Sequence, residues 1–66
     1  EVTDEVFGQL TVDQREALIV ATRAGYFEVP RRTSLTKIAD ELGISDTAAS
    51  ERIRRGIDSV LHSFLL

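Results

Sequence analysis

A chain of 66 residues, 42% apolar and 29% charged, has the composition of one small folded domain whose elements share a single core and leave no room for a deep catalytic cleft. The lack of cysteine excludes a disulfide framework and a thiolate metal site, and one histidine, His62, is too few for a zinc site without distant carboxylates. The net charge of −3 weighs against strong non-specific attraction to nucleic acid, and no apolar run approaches the roughly 18 residues of a membrane span.

No charged leader followed by an apolar segment opens the chain, which is expected to be soluble and cytoplasmic, with no cofactor. It begins at Glu1 and not at Met, and is read as a segment of a longer protein. Residues 1–10 carry Val2, Val6, Phe7 and Leu10 among acidic residues, interrupted by Gly8. They read as a linker end with a short helical turn, and residues 11–66 as the domain proper. Thr11 followed three residues later by Gln14 is a capping box, so a helix is expected over about 12–24, with Ala17, Leu18, Ala21 and Ala24 on one face. Gly25 stands where a left-handed C-terminal residue is wanted. Tyr26, Phe27, Val29 and Pro30 form an apolar connection, expected to be packed, with Tyr26 and Phe27 in the core.

Thr33 or Ser34 can cap a second helix over about 35–42, where Leu35, Ile38, Ala39 and Leu42 make the i, i+3, i+4, i+7 stripe of a one-sided helix. Gly43 ends it, Ile44 plugs the turn and Ser45 caps a third helix over about 46–65. Ala49, Ile53, Ile57, Val60 and Phe64 are its expected core stripe, and Gly56 within it weakens helix formation by on the order of 1 kcal/mol relative to alanine. Leu61, Leu65 and Leu66 add more apolar surface than a helix end needs.

Residues 35–57 therefore follow the plan of a helix-turn-helix: a short amphipathic helix, a three-residue turn containing glycine, a cap and a second helix. Ala39 is small where the helices must cross. The expected fold class is all-α, a three-helix helix-turn-helix domain.

With Ala49 and Ile53 inward, Asp46, Thr47, Ser50, Glu51 and Arg54 point outward on the first turns of the third helix, the part that enters a major groove in such motifs. Arg54 can pair with guanine, Glu51 can accept from a cytosine amino group, and Thr47 and Ser50 can reach bases or phosphates. Arg52, Arg55 and the capping Ser45 flank the strip and suit phosphate contacts. The plainer reading is a solvated face with intrahelical pairs such as Glu51 with Arg55. A second cluster, Arg31, Arg32, Thr33, Ser34 and Lys37, stands at a helix N-terminus, where free NH groups favour an anion such as a DNA phosphate. These arginines can instead balance Glu28 or the carboxylates of Asp40 and Glu41. Charge is divided to match: residues 1–29 carry a balance of −4 and residues 30–66 one of +1.

The runs 14–16, 24–32 and 38–45, with 48–55 after them, resemble the C-terminal helix-turn-helix domain of the archaeal bacterio-opsin activator family. The resemblance covers about residues 10–61. The block from Gly25 to Arg31 is its specific part; the block from Ala39 to Ser45 is shared with many helix-turn-helix proteins, including the fourth region of sigma factors. Ala49 departs from the pattern, which usually has a larger aliphatic residue there. The resemblance implies an output domain of a haloarchaeal transcription regulator with sensor domains of the PAS or GAF type upstream, and double-stranded DNA as partner. Excess surface carboxylates suit a halophilic protein, and at high salt the electrostatic part of DNA affinity fades, leaving base and shape contacts to contribute more.

One groove helix reads a short half-site, so a homodimer is expected. Leu61, Phe64, Leu65 and Leu66 can form its contact or complete the monomer's core. A competing reading is a protein-interaction module docking on the transcription machinery through its acidic N-terminal half. An enzyme is not expected: Glu51 or Asp58 with His62 makes an acid-base pair on paper, with no nucleophile or metal beside it.

Overall fold

A computed structural model describes residues 10–66, so the linker expected at the start lies, apart from Leu10, outside the described residues. Three helices and no strand make up the described part: α1 (Val12–Ala24), α2 (Leu35–Leu42) and α3 (Asp46–Leu65). Among the described residues, no helix is long and apolar enough to cross a membrane.

Each helix starts on a side-chain cap. Thr11 Oγ1 accepts from the Gln14 amide at 3.0 Å while Gln14 Oε1 accepts from the Thr11 amide at 3.3 Å, closing the capping box. Ser34 and Ser45 accept in the same way from the amides of Lys37 and Ala48. Left-handed Gly25 (φ 84°) and Gly43 (φ 70°) terminate α1 and α2. After Gly43 the Ile44 amide donates back to the Ala39 carbonyl at 3.0 Å, which folds Ile44 under the turn and delivers Ser45 to the start of α3.

The fully buried side chains are small: Ala17, Ala21, Ala39 and Ala49, with Ile38 and Ile53. Alanine at the crossings lets helix backbones approach closely, and Leu18, Val20, Tyr26, Leu35, Leu42 and Ile57 close around the buried cluster. α3 packs most extensively on α1 and next on α2. Gly56 is buried on the α1 side, where a Cβ would lie 2.8 Å from Leu18 Cδ1. What reads in sequence as a weak point of the helix is the place where α1 and α3 meet.

Two packing expectations are corrected. The core stripe of α3 stops at half-buried Val60, and Phe64 is 61% exposed. A 20-residue helix is about 30 Å long, close to the 32 Å of the molecule's longest dimension, so its last turns run past the helices that cover its middle. The connection after α1 is also not packed throughout. Tyr26 lies against the core, its amide held by the Ala21 carbonyl at 2.9 Å, but Phe27 and Pro30 are exposed and Val29 is 98% exposed. Polar groups shape that stretch instead: the Gly25 carbonyl accepts from the Glu28 amide at 3.3 Å and the Arg32 amide at 3.1 Å, leaving 29 and 30 at the outer tip.

Candidate nucleic-acid interface

α3 divides its polar side chains between two sides. Toward the start of α1, Glu51, Arg52 and Arg55 border a groove with Asp13 and Gln14. The Arg52 side chain is 30% exposed and its Nη2 lies 3.8 Å from Asp13 Oδ2, while Arg55 Nη2 lies 3.7 Å from Glu51 Oε1 one turn back. Both separations are those of loose surface pairs, which contribute little to stability. Toward the connection between α1 and α2, Ser50 and Arg54 line a cleft of about 260 Å³ with Tyr26, Ile53 and Arg31.

Among the candidate base-reading residues, Asp46 is already engaged: its Oδ2 accepts from Thr36 Oγ1 at 2.8 Å, tying the first turn of α3 to α2. Thr47 and Arg54 are exposed and Ser50 is half-buried. Arg54 has no hydrogen bond or ion pair among the described residues.

The second cluster splits. Arg32 grips Glu28 with two parallel bonds, Nε to Oε1 at 2.8 Å and Nη2 to Oε2 at 2.6 Å. This pairing holds the Glu28 carboxyl below the usual carboxylate range and raises the Arg32 guanidinium, in both cases first through the hydrogen bond. Arg31 makes no such pair; its guanidinium carbon sits 4.3 Å above the centre of the Tyr26 ring. The Phe27 and Tyr26 rings meet in a T-shaped arrangement, centres 5.3 Å apart at 76°. Ser34 caps α2, Thr33 is half-buried before it, and Lys37 is exposed on its first turn.

The partners Asp13 and Thr36 and the platform under Arg31 are additions to the sequence reading, which already held Glu28 as a partner of the arginines. Glu28 with Arg32, at i and i+4, carried a local signal; Asp13 and Thr36 become neighbours of α3 only through the packing. Asp58 and His62 do approach, Oδ1 to Nδ1 at 3.3 Å, on the exposed side of α3. Among the described residues no group of three or more histidine or carboxylate side chains is placed to hold a metal ion.

A helix pair joined by a three-residue turn, with an exposed polar strip on the second helix, is the geometry of a DNA reader. The family described as HTH DNA binding domain matches residues 10–62. The chain belongs to this family, in its bacterio-opsin activator type. As a helix-turn-helix DNA-binding domain it is similar to a dimethyl sulfoxide reductase transcriptional activator of Haloferax volcanii, 52% identical over 44 residues, 67% of this chain and 21% of that protein. It is also similar to a protein of the same description from Halobacterium salinarum, 44% identical over 52 residues, 79% of this chain and 23% of that protein. The alignments thus span about a fifth to a quarter of the length of these relatives. No solved structure matches the chain significantly.

Proposed function

We propose that this domain reads DNA sequence with α3 in the major groove, as the output domain of an archaeal transcription regulator and not as an enzyme. The observation that carries the reading is Arg54: exposed on the second half of the helix-turn-helix, unpaired among the described residues, with Ser50 one turn before it and Thr47 at the helix start. Arginine in that position suits the paired acceptors of a guanine edge. Thr47, Ser50, Glu51 and Asp46 supply further groove contacts, Asp46 through the carboxylate oxygen that Thr36 does not use. Ser45, Arg31, Thr33, Ser34 and Lys37 supply phosphate contacts on one flank, and Arg52 and Arg55 on the other. The two similar activators, both from halophilic archaea, support a role in transcription activation, with sensor domains in the remainder of the full-length protein.

Fluorescence-anisotropy titration of the domain against promoter and random duplexes, across a salt series, tests this. Saturable binding that prefers some duplexes and is lost in Arg54→Ala is expected. Binding of equal strength to every duplex, or binding that Arg54→Ala leaves unchanged, overturns it and favours docking on a protein of the transcription machinery.

The proposed regulator acts as a homodimer. Leu61, Phe64, Leu65 and Leu66 are exposed at the projecting end of α3, and an isologous contact between two such ends joins two reading helices for two half-sites. Sedimentation equilibrium should then show self-association that Phe64→Lys removes.

A further inference from the structure

The cleft between α3 and the connection following α1 collects positive charge with nothing to neutralise it. Arg31 and Arg54 both line it, with Ser50, Tyr26 and Ile53 also on its walls, and among the described residues no carboxylate does. Two guanidinium groups facing one small cleft repel each other unless an anion sits with them. Arg31 and its neighbour Arg32 are also treated unequally by the fold. Arg32 is locked onto Glu28 by two hydrogen bonds, whereas Arg31 rests on the face of Tyr26, a contact that orients the guanidinium without consuming any of its NH donors. The Tyr26 ring is itself fixed, packed against the core and in T-shaped contact with Phe27.

We infer that this cleft seats one DNA backbone phosphate, that Arg31 is its principal donor, and that Tyr26 is the positioning residue that aims Arg31 beside the groove helix. The inference rests on the DNA-binding reading and refines it by separating the two adjacent arginines. Arg32 belongs to the loop, where its bond to Glu28 and the stacking of its side chain against Gly25 hold the connection in shape. Arg31 belongs to the ligand. A guanidinium resting on a ring keeps its donors for a ligand in the cleft it shares with Ser50 and Arg54, and less side-chain freedom is lost when the phosphate arrives. A strand whose bases meet Arg54 in the groove carries its phosphates past the same cleft, so one register serves both contacts.

The test is the slope of log affinity against log salt for the domain and its variants on one duplex. Each phosphate contact contributes close to one unit to that slope. Arg31→Ala should lower the slope by about one unit and weaken binding roughly eightfold at 0.1 M salt, whereas Arg32→Ala should leave the slope unchanged. Tyr26→Phe, which keeps the ring face, should bind as the parent does. Tyr26→Leu should reproduce the loss of slope, and should have no further effect on it once Arg31 is alanine; helicity by circular dichroism confirms that the variant is folded. An unchanged slope in Arg31→Ala, or equal losses in Arg31→Ala and Arg32→Ala, overturns the phosphate seat while leaving the DNA-binding reading intact if Arg54→Ala still abolishes recognition. Failure of the parent domain to bind any duplex overturns both. A Tyr26→Leu effect that persists in full in the Arg31→Ala background removes the positioning role.

Discussion

Gly56 of α3 rests against Leu18 of α1 so closely that a Cβ at position 56 would stand 2.8 Å from Leu18 Cδ1 and 3.0 Å from its Cγ. Helix propensity alone favours alanine over glycine there by about 1 kcal/mol, but crowding in a packed interface costs typically 1–3 kcal/mol. Crowding wins, because Leu18 is met at Cγ as well as at Cδ1, so its side chain must swing toward the surface cleft it borders and give up part of its packing on the core. Gly56→Ala should destabilise the domain by roughly 1 kcal/mol in urea unfolding. In combination with Leu18→Ala it should lose less than the sum of the two single changes. A Gly56→Ala variant more stable than the parent would show that α1 and α3 do not meet there.

The two left-handed glycines differ in their surroundings. Around Gly43 a Cβ meets nothing within 4 Å, while at Gly25 it meets Arg32 Nε at 2.6 Å and Arg32 Cβ at 2.9 Å. Asparagine tolerates the left-handed region better than other residues with a side chain. Gly43→Asn should therefore lower the free energy of unfolding in urea by no more than about 1 kcal/mol. Gly25→Asn must also push Arg32 off Glu28, and a clearly larger loss is expected, with a broken Glu28–Arg32 pair visible as a changed Glu28 titration by NMR.

Thr36 and Asp46 bind the two halves of the helix-turn-helix together through one hydrogen bond of 2.8 Å. Asp46 also stands in the first turn of α3, where a negative charge is favourable. Asp46→Ala should cost about 1 kcal/mol of stability, and Thr36→Val should lose most of the hydrogen-bond part of that. Arg54→Ala should leave stability unchanged. Thermal unfolding and DNA titration on the same three proteins separate the contributions: Asp46→Ala with parent-like stability and abolished DNA binding would make Asp46 a base reader first.

Acid should act on the connection between α1 and α2. Glu28 has its carboxyl held below 4.5 by the Arg32 hydrogen bond. For a carboxyl whose folded value is depressed, the stabilisation is present above the unfolded value and is lost as pH falls through the folded one. The Glu28 contribution is thus intact at neutral pH and disappears below about pH 4.5. The pair is solvent-exposed, so its effect is small and fades with salt. Melting temperatures of the parent and Glu28→Gln, measured from pH 7 down to pH 3 at low salt, should differ at neutral pH and converge in acid. Parallel curves would remove Glu28 as the titrating group.

The boundaries of all three helices were legible in the amino-acid sequence, at 12–24, 35–42 and 46–65. The helix-turn-helix followed from the same local marks. Thr11 with Gln14, Ser34, Gly43 and Ser45 act on backbone groups only a few residues away, so their effect is written wherever the residues are adjacent in the chain. The residues exposed on the first turns of α3 could be read for the same reason, since helical periodicity sets which of them turn away from Ala49 and Ile53. Tertiary structure decided the rest. Whether Arg31 or Arg32 keeps its donors free, that Asp46 is tied to Thr36, that Gly56 is a contact point and that the core ends at Val60 all depend on which distant elements arrive beside them. Periodicity marks a face as apolar at Phe64 as readily as at Ile53, but only the length of α3 against the helices that cover it determines which is buried. Pairing of charges and close approach are relations between surfaces that do not exist until the chain has closed.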